Sequence, residues 1–135
     1  MRYLIGLLLT IFMFTNFCSA EDFIGIEEYI DKDGLKNRYD EGFIHLRCSG
    51  LIMALIKFKP SEERFMLYAE DQFTKAGVAY LDWGQTKPNE VMKQIGSSLV
   101  SIVDHYYNEI KEKQENEGDI FTGRLAREFK FCLEF

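Results

Sequence analysis

Positive charge is in short supply. The 135 residues carry 16 Lys and Arg against 22 Asp and Glu, a formal charge of −6. That balance argues against non-specific binding to DNA, RNA or anionic lipid, which takes a basic face. Proline is scarcer still: only Pro60 and Pro88 occur. Both fall between periodic apolar segments and read as punctuation. There is one Trp, two His and three Cys. Internal repeats, low-complexity tracts and long linkers are lacking. What remains is 47% apolar, ordinary for a globular chain and too high for a disordered one.

The motifs that carry chemistry are also missing. No Gly-x-Ser-x-Gly elbow, glycine-rich phosphate loop or Cys-x-x-Cys-His haem motif is present. Neither His-Glu-x-x-His nor Glu-x-x-His occurs, so neither a zincin nor a carboxylate di-iron bundle is supported. The nearest approach to a metal motif is Asp31, Lys32, Asp33 and Gly34. With Gly34 at position 6 of a calcium loop, position 1 becomes Tyr29, position 8 Lys36 and position 12 Asp40. Two required features fail, and a polar turn explains Asp-Gly equally well. Glu41 and His45, and His105 and Glu109, stand one helical turn apart and can pair locally. No cofactor and no metal ligand set is expected.

The first segment is read as an address. Arg2 is its only charge, followed by an apolar block from Tyr3 to Phe14 and the triplet Cys18, Ser19, Ala20. A basic start, an apolar core and small residues at −3 and −1 make a secretory signal peptide, residues 1–20, cleaved after Ala20. The apolar block is short for a span, which takes about 20 residues. Removal leaves residues 21–135 as a single helical domain, 115 residues with 15 basic and 22 acidic groups, a charge of −7. The destination is the periplasm or the outside of the cell. No later segment is apolar enough to span a membrane: the richest, Phe43 to Phe58, carries His45, Arg47 and Lys57.

The periodicity is helical throughout. Apolar residues recur at Ile44, Cys48, Leu51, Leu55 and Phe58; at Phe65, Ala69, Phe73, Ala76, Tyr80 and Trp83; at Met92, Ile95, Leu99, Ile102, Tyr106 and Ile110; and at Phe121, Leu125, Phe129 and Cys132. Steps of three and four place each set on one face. Ser61 is a candidate cap, Gly84 a stop and Pro88 a first-turn residue, and Gly118 with Asp119 forms a stop-and-cap pair. The spacing predicts helices over 39–58, 61–83, 88–115 and 119–134, and a weaker one over 24–31. The fold class is all-α, a small bundle of four main helices plus the N-terminal one. The small residues Gly96, Ser97, Ser98 and Ser101 are expected to let another helix approach.

Losing Cys18 with the leader leaves Cys48 and Cys132, an even count in an oxidising compartment. Each lies on an apolar face, so a disulfide pinning the second helix to the last is expected. Such a loop is worth roughly 4 kcal/mol in the chain-entropy model.

Sixteen aromatics remain after the leader is removed. Most fall on core faces, but some are expected to form an exposed binding face: Trp83, Tyr80, Tyr106, Tyr107 and Tyr68. The function expected is a non-catalytic exported helical protein, an interaction or accessory module whose partner is another exported protein. The alternative is a carrier of a small apolar ligand in the bundle core. An enzyme ranks third, and would be signalled by a deep polar pocket holding His105 beside carboxylates.

Overall fold

The computed structural model describes residues 23–60, 63–84 and 87–135. The expected leader, its cleavage point and the candidate cap Ser61 lie outside the described residues. Among those described, five helices and no strand occur: α1 (Ile26–Asp33), α2 (Arg38–Phe58), α3 (Glu63–Trp83), α4 (Pro88–Glu117) and α5 (Gly123–Glu134). The fold is an all-helical bundle, and among the described residues no helix is long and apolar enough to cross a membrane.

Local chemistry sets the helix ends. Asn37 and Asp40 form a reciprocal capping box at the start of α2: the Asp40 amide donates to Asn37 Oδ1 at 3.1 Å, and the Asn37 amide to Asp40 Oδ2 at 3.2 Å. Asp40 also accepts from the Lys36 amide and, at 2.7 Å, from the Tyr29 hydroxyl, which ties α1 to α2. Gly34 closes α1 by donating its amide to the Ile30 carbonyl, so the Asp-Gly pair is a helix end. Pro88 opens α4, and Gly118, at φ 72°, ends it in the left-handed conformation that glycine adopts without strain.

Several boundaries differ from expectation: α2 starts one residue earlier, at Arg38, and α4 ends two residues later, at Glu117. α1 runs two residues later at both ends than the predicted 24–31. α5 begins at Gly123, not at 119, because Asp119 caps a turn instead: its Oδ1 accepts from the Phe121 amide at 2.8 Å. The chain needs that turn to come back onto α2.

α2 is the centre of the bundle. Its expected single apolar stripe is a correction, because burial continues around the helix through Gly42, Leu46, Arg47, Ser49, Gly50 and Ile52. One side meets the main core: Ile44, Cys48, Leu51 and Ala54 pack with Ile26, Tyr106, Ile110, Leu125 and Cys132. Another side meets a smaller cluster, Leu46 with Ala76, Val91 and Ile95. Burying a side chain such as Leu51 or Ile44 contributes about 2 kcal/mol.

The α2–α3 contact is built from small residues. The buried side of α3 is Ala69, Gln72, Ala76, Gly77 and Ala79. Ser49 Oγ donates to the Ala69 carbonyl at 2.8 Å, and a Cβ on Gly42 would lie 3.3 Å from Ala79 Cβ. The aromatic members of the expected α3 stripe flank this contact: the Tyr80 ring also lies against Gly42, and Phe73 and Tyr80 pack at the side of the smaller cluster. Phe65, Phe73 and Tyr80 are half-buried and Trp83 is exposed.

α4 approaches α2 at Gly50, where an added Cβ would come within 2.3 Å of Ile102 Cγ2. The expected approach site on α4 is therefore a second correction. A Cβ on Gly96 would meet nothing within 4 Å, and Ser97, Ser98 and Ser101 are exposed. The glycine that permits close packing is on the other helix.

Candidate functional site

The sulfur atoms of Cys48 and Cys132 are at bonding distance, 2.04 Å, with Cα atoms 5.3 Å apart. Both residues are fully buried in the main core. The disulfide joins α2 to α5 across 84 residues of sequence, as their shared apolar faces imply.

The five aromatics expected on one face divide into four settings. Trp83 is 56% exposed at the end of α3. Its ring centre lies 6.1 Å from that of Tyr39, itself 45% exposed, and Tyr39 packs edge-on to Tyr80 at 5.3 Å. These three rings edge a recess of about 220 Å³ between α2, α3 and α4, floored by Leu46, Val91 and Ile95. Burial drives the Tyr80 hydroxyl pKa far above its ordinary value. Tyr68 is half-buried and accepts from Gln72 Nε2 at 2.9 Å. Tyr107 packs on Phe58 and the Lys57 ammonium, 4.6 Å from the ring centre.

Tyr106 cannot belong to a binding face. It has no exposed surface, because the α4 turn that carries it points into the main core. Its hydroxyl donates to Glu128 Oε2 at 2.7 Å, and burial first, then the Glu128 charge, raises its pKa well above the usual phenol range.

Glu128, also without exposed surface, is the hub of a buried polar set. Its Oε1 accepts from the Ile26 amide at 2.9 Å and from Arg124 Nη1 at 2.6 Å. Arg124 Nη2 reaches on to Glu109. A carboxylate with this many donors is stable in a low-dielectric interior, where an unpaired one would not be.

Arg47 sits beside this set, 4% exposed. Its Nη2 donates to the Ile24 carbonyl, and its guanidinium carbon lies 3.4 Å from the centre of the Phe23 ring. Phe23 stacks in turn on His105, centres 3.6 Å apart. These residues border an open cleft of about 870 Å³ between the segment before α1, α2 and α4. His105 is 3.9 Å from Glu109, beyond hydrogen-bond distance, and burial followed by nearby guanidinium charge lowers its pKa despite that carboxylate. His105 and Glu109 therefore do not form a close acid–base pair.

His45 does not take its local partner Glu41. Its Nδ1 pairs with Gln72 Oε1 on α3 at 2.5 Å, and Gln72 hands the chain of bonds on to Tyr68. Burial lowers the His45 pKa, outweighing the bond to Gln72. Among the described residues no group of three or more His, Cys, Asp or Glu is placed to hold a metal ion. A further recess, about 300 Å³ and almost wholly apolar, lies between the end of α2, the start of α3 and α5. Ile52, Ile56, Phe58, Phe65, Phe121 and Phe129 line it.

Three residues of these sites escape a sequence reading. Tyr39 lies at a helix start, outside the periodic stripes. Glu128 follows Leu125 by three and precedes Cys132 by four, so it occupies a core position that a list of apolar residues skips. Arg47, inside the most apolar stretch of the chain, carried a signal: a charge there must find partners or a ligand.

Comparison of the chain with protein-family profiles, with curated proteins and with solved structures finds no match.

Proposed function

We propose that this is an exported, non-catalytic helical protein that docks another exported protein through the Tyr39–Tyr80–Trp83 corner. Export is supported by the character of residues 1–20 and by a buried disulfide, which persists in an oxidising compartment. The observation that carries docking is the exposure of Trp83 and Tyr39 together over a recess. Large amphipathic rings at the mouth of a pocket are the usual anchors of protein interfaces, at little entropic cost. The acidic surface favours a partner with basic character and disfavours nucleic acid.

The test is photo-crosslinking in source cells with a photoreactive side chain at position 83. One discrete adduct is expected, weakened at least tenfold by Tyr39→Ala and absent when the probe sits at the exposed Leu133. No adduct at position 83, or the same adducts from position 133, overturns the reading.

A second reading is favoured by one specific feature, the 300 Å³ apolar recess at Phe121 and Phe129. It lies at the lower end of ligand-pocket sizes and suits a small apolar ligand. Under this reading, protein recovered from its own source carries a small apolar molecule in native mass spectrometry. Ile56→Glu would release it, while Trp83→Ala would not.

A further inference from the structure

Among the buried side-chain nitrogens and oxygens described, only Nε and Nη1 of Arg47 lack a hydrogen-bond partner. Nε carries one N–H and Nη1 two, so most of a buried cation's donors are unfilled. The surrounding carboxylates are engaged elsewhere. Glu128 is taken by Ile26, Tyr106 and Arg124, Glu109 by Arg124, and Asp40 by Tyr29 and the α2 cap. In the cleft that Arg47 borders, Glu28 and Lys32 pair with each other at 2.6 Å. In charge, Arg47 and Arg124 balance Glu128 and Glu109, but the unfilled N–H groups of Arg47 lie beside a cleft lined in part by Phe23, Phe43 and Ile102, with Ser98, Ser101 and His105.

We propose that this cleft binds a small organic monoanion, whose carboxylate accepts from Arg47 and whose apolar body lies against Phe43 and Ile102. An open N–H of a guanidinium is a strong, charge-assisted donor to a carboxylate oxygen. The apolar part of the lining, Phe43 and Ile102, favours an anion with a hydrocarbon body over a free phosphate. Phe23 covers the guanidinium, and it precedes α1 in a stretch without regular structure. Turning its ring aside admits the ligand while the Ile24 carbonyl keeps its bond to Nη2. The site is separate from the Trp83 corner and stands or falls independently of the partner proposed there.

The experiment is a titration of protein purified after expression of the full chain, followed by calorimetry and by the Arg47 Nε–H resonance. The probes are phenylacetate, octanoate, inorganic phosphate and benzyl alcohol. Saturable binding of either carboxylic acid below millimolar concentration is expected, with a shift of the Arg47 resonance. Phosphate and benzyl alcohol should bind at least tenfold more weakly. Ser101→Glu, an exposed change that adds like charge at the rim, should cost at least tenfold in affinity with unchanged circular dichroism. Arg47→Gln should abolish binding, and Ser101→Glu supplies the test if that variant does not fold. Failure of both acids to saturate overturns the proposal. So does equal affinity for benzyl alcohol, or an affinity that Ser101→Glu leaves unchanged.

Discussion

Tyr106 and Glu128 meet with no exposed surface on either residue, the phenol donating to the carboxylate at 2.7 Å. Removing one partner of such a pair strands the other, and the cost is set by the group left behind. Tyr106→Phe leaves Glu128 with its Ile26 and Arg124 donors and should cost about 1–3 kcal/mol. Glu128→Ala strands the phenol, an amide and part of Arg124, and should cost about 3–5 kcal/mol. Urea unfolding of the two variants gives the order directly.

The disulfide should contribute on the same scale as the Glu128 network. Cys48→Ser, or reduction, is expected to remove roughly 4 kcal/mol. The oxidised protein should be about 2 Da lighter than the reduced one, the two hydrogens lost on forming one bond. Two thiols that alkylate without reduction would contradict the pairing of Cys48 with Cys132.

Two glycine replacements should act in opposite directions. Gly50→Ala drives a methyl into the stiff β-branched Ile102 and should destabilise by about 1–3 kcal/mol. Gly96→Ala, inside α4 with nothing in reach of the new methyl, should stabilise by about 0.5–1 kcal/mol. Thermal melts of the pair distinguish close packing at α2 from close packing at Gly96.

Acid should weaken the fold in two windows. His45 and His105 are both depressed, so the unfolded chain binds their protons more readily than the folded one. Their contribution is complete above the unfolded value of about 6.5 and is lost as pH falls below it. His45→Gln should flatten that part of the stability–pH curve. Asp40 lies below the ordinary carboxylate range, held there first by the Tyr29 hydroxyl and then by the amides of Lys36 and Asn37. Its contribution is present above about pH 4 and disappears as pH falls through the folded value. Tyr29→Phe should move that loss to higher pH.

Trp83 is the only tryptophan and more than half exposed, which makes it a clean reporter. Its emission should be solvent-like and readily quenched by acrylamide. Trp83→Ala should change stability by less than about 0.5 kcal/mol, the range of surface substitutions. A large loss would place the ring in the core and count against a docking role.

The helices were legible because their ends carry local chemistry, as at Gly84, Pro88 and Gly118, and because steps of three and four are hard to mimic. The Cys48–Cys132 link was legible for the same reason: both sulfurs lie on apolar stripes. The α2–α3 contact was not, since Ala69, Ala76 and Gly77 look bland beside Phe65 and Phe73, and only the distance between helices decides which set goes inside. The exposure expected of the aromatics holds at Trp83 and in part at Tyr80. It failed at Tyr106, where a polar tip concealed a core residue whose partner, Glu128, lies on another helix. Arg47 and Glu128 show the general difficulty: a charge on an apolar stripe interrupts the pattern, and its partners are visible only in three dimensions.

The sequence separation of 84 between the two cysteines also imposes an order in time. A chain delivered N-terminus first presents Cys48 early, and its bond cannot close until residue 132 has followed. Over that interval the contacts of α2 with α3 and α4, such as Ser49 to Ala69 and Leu46 to Ala76, Val91 and Ile95, can form without the disulfide. Cys48 then stays a thiol on a helix shielded by its neighbours, and α5 is the latch that arrives last.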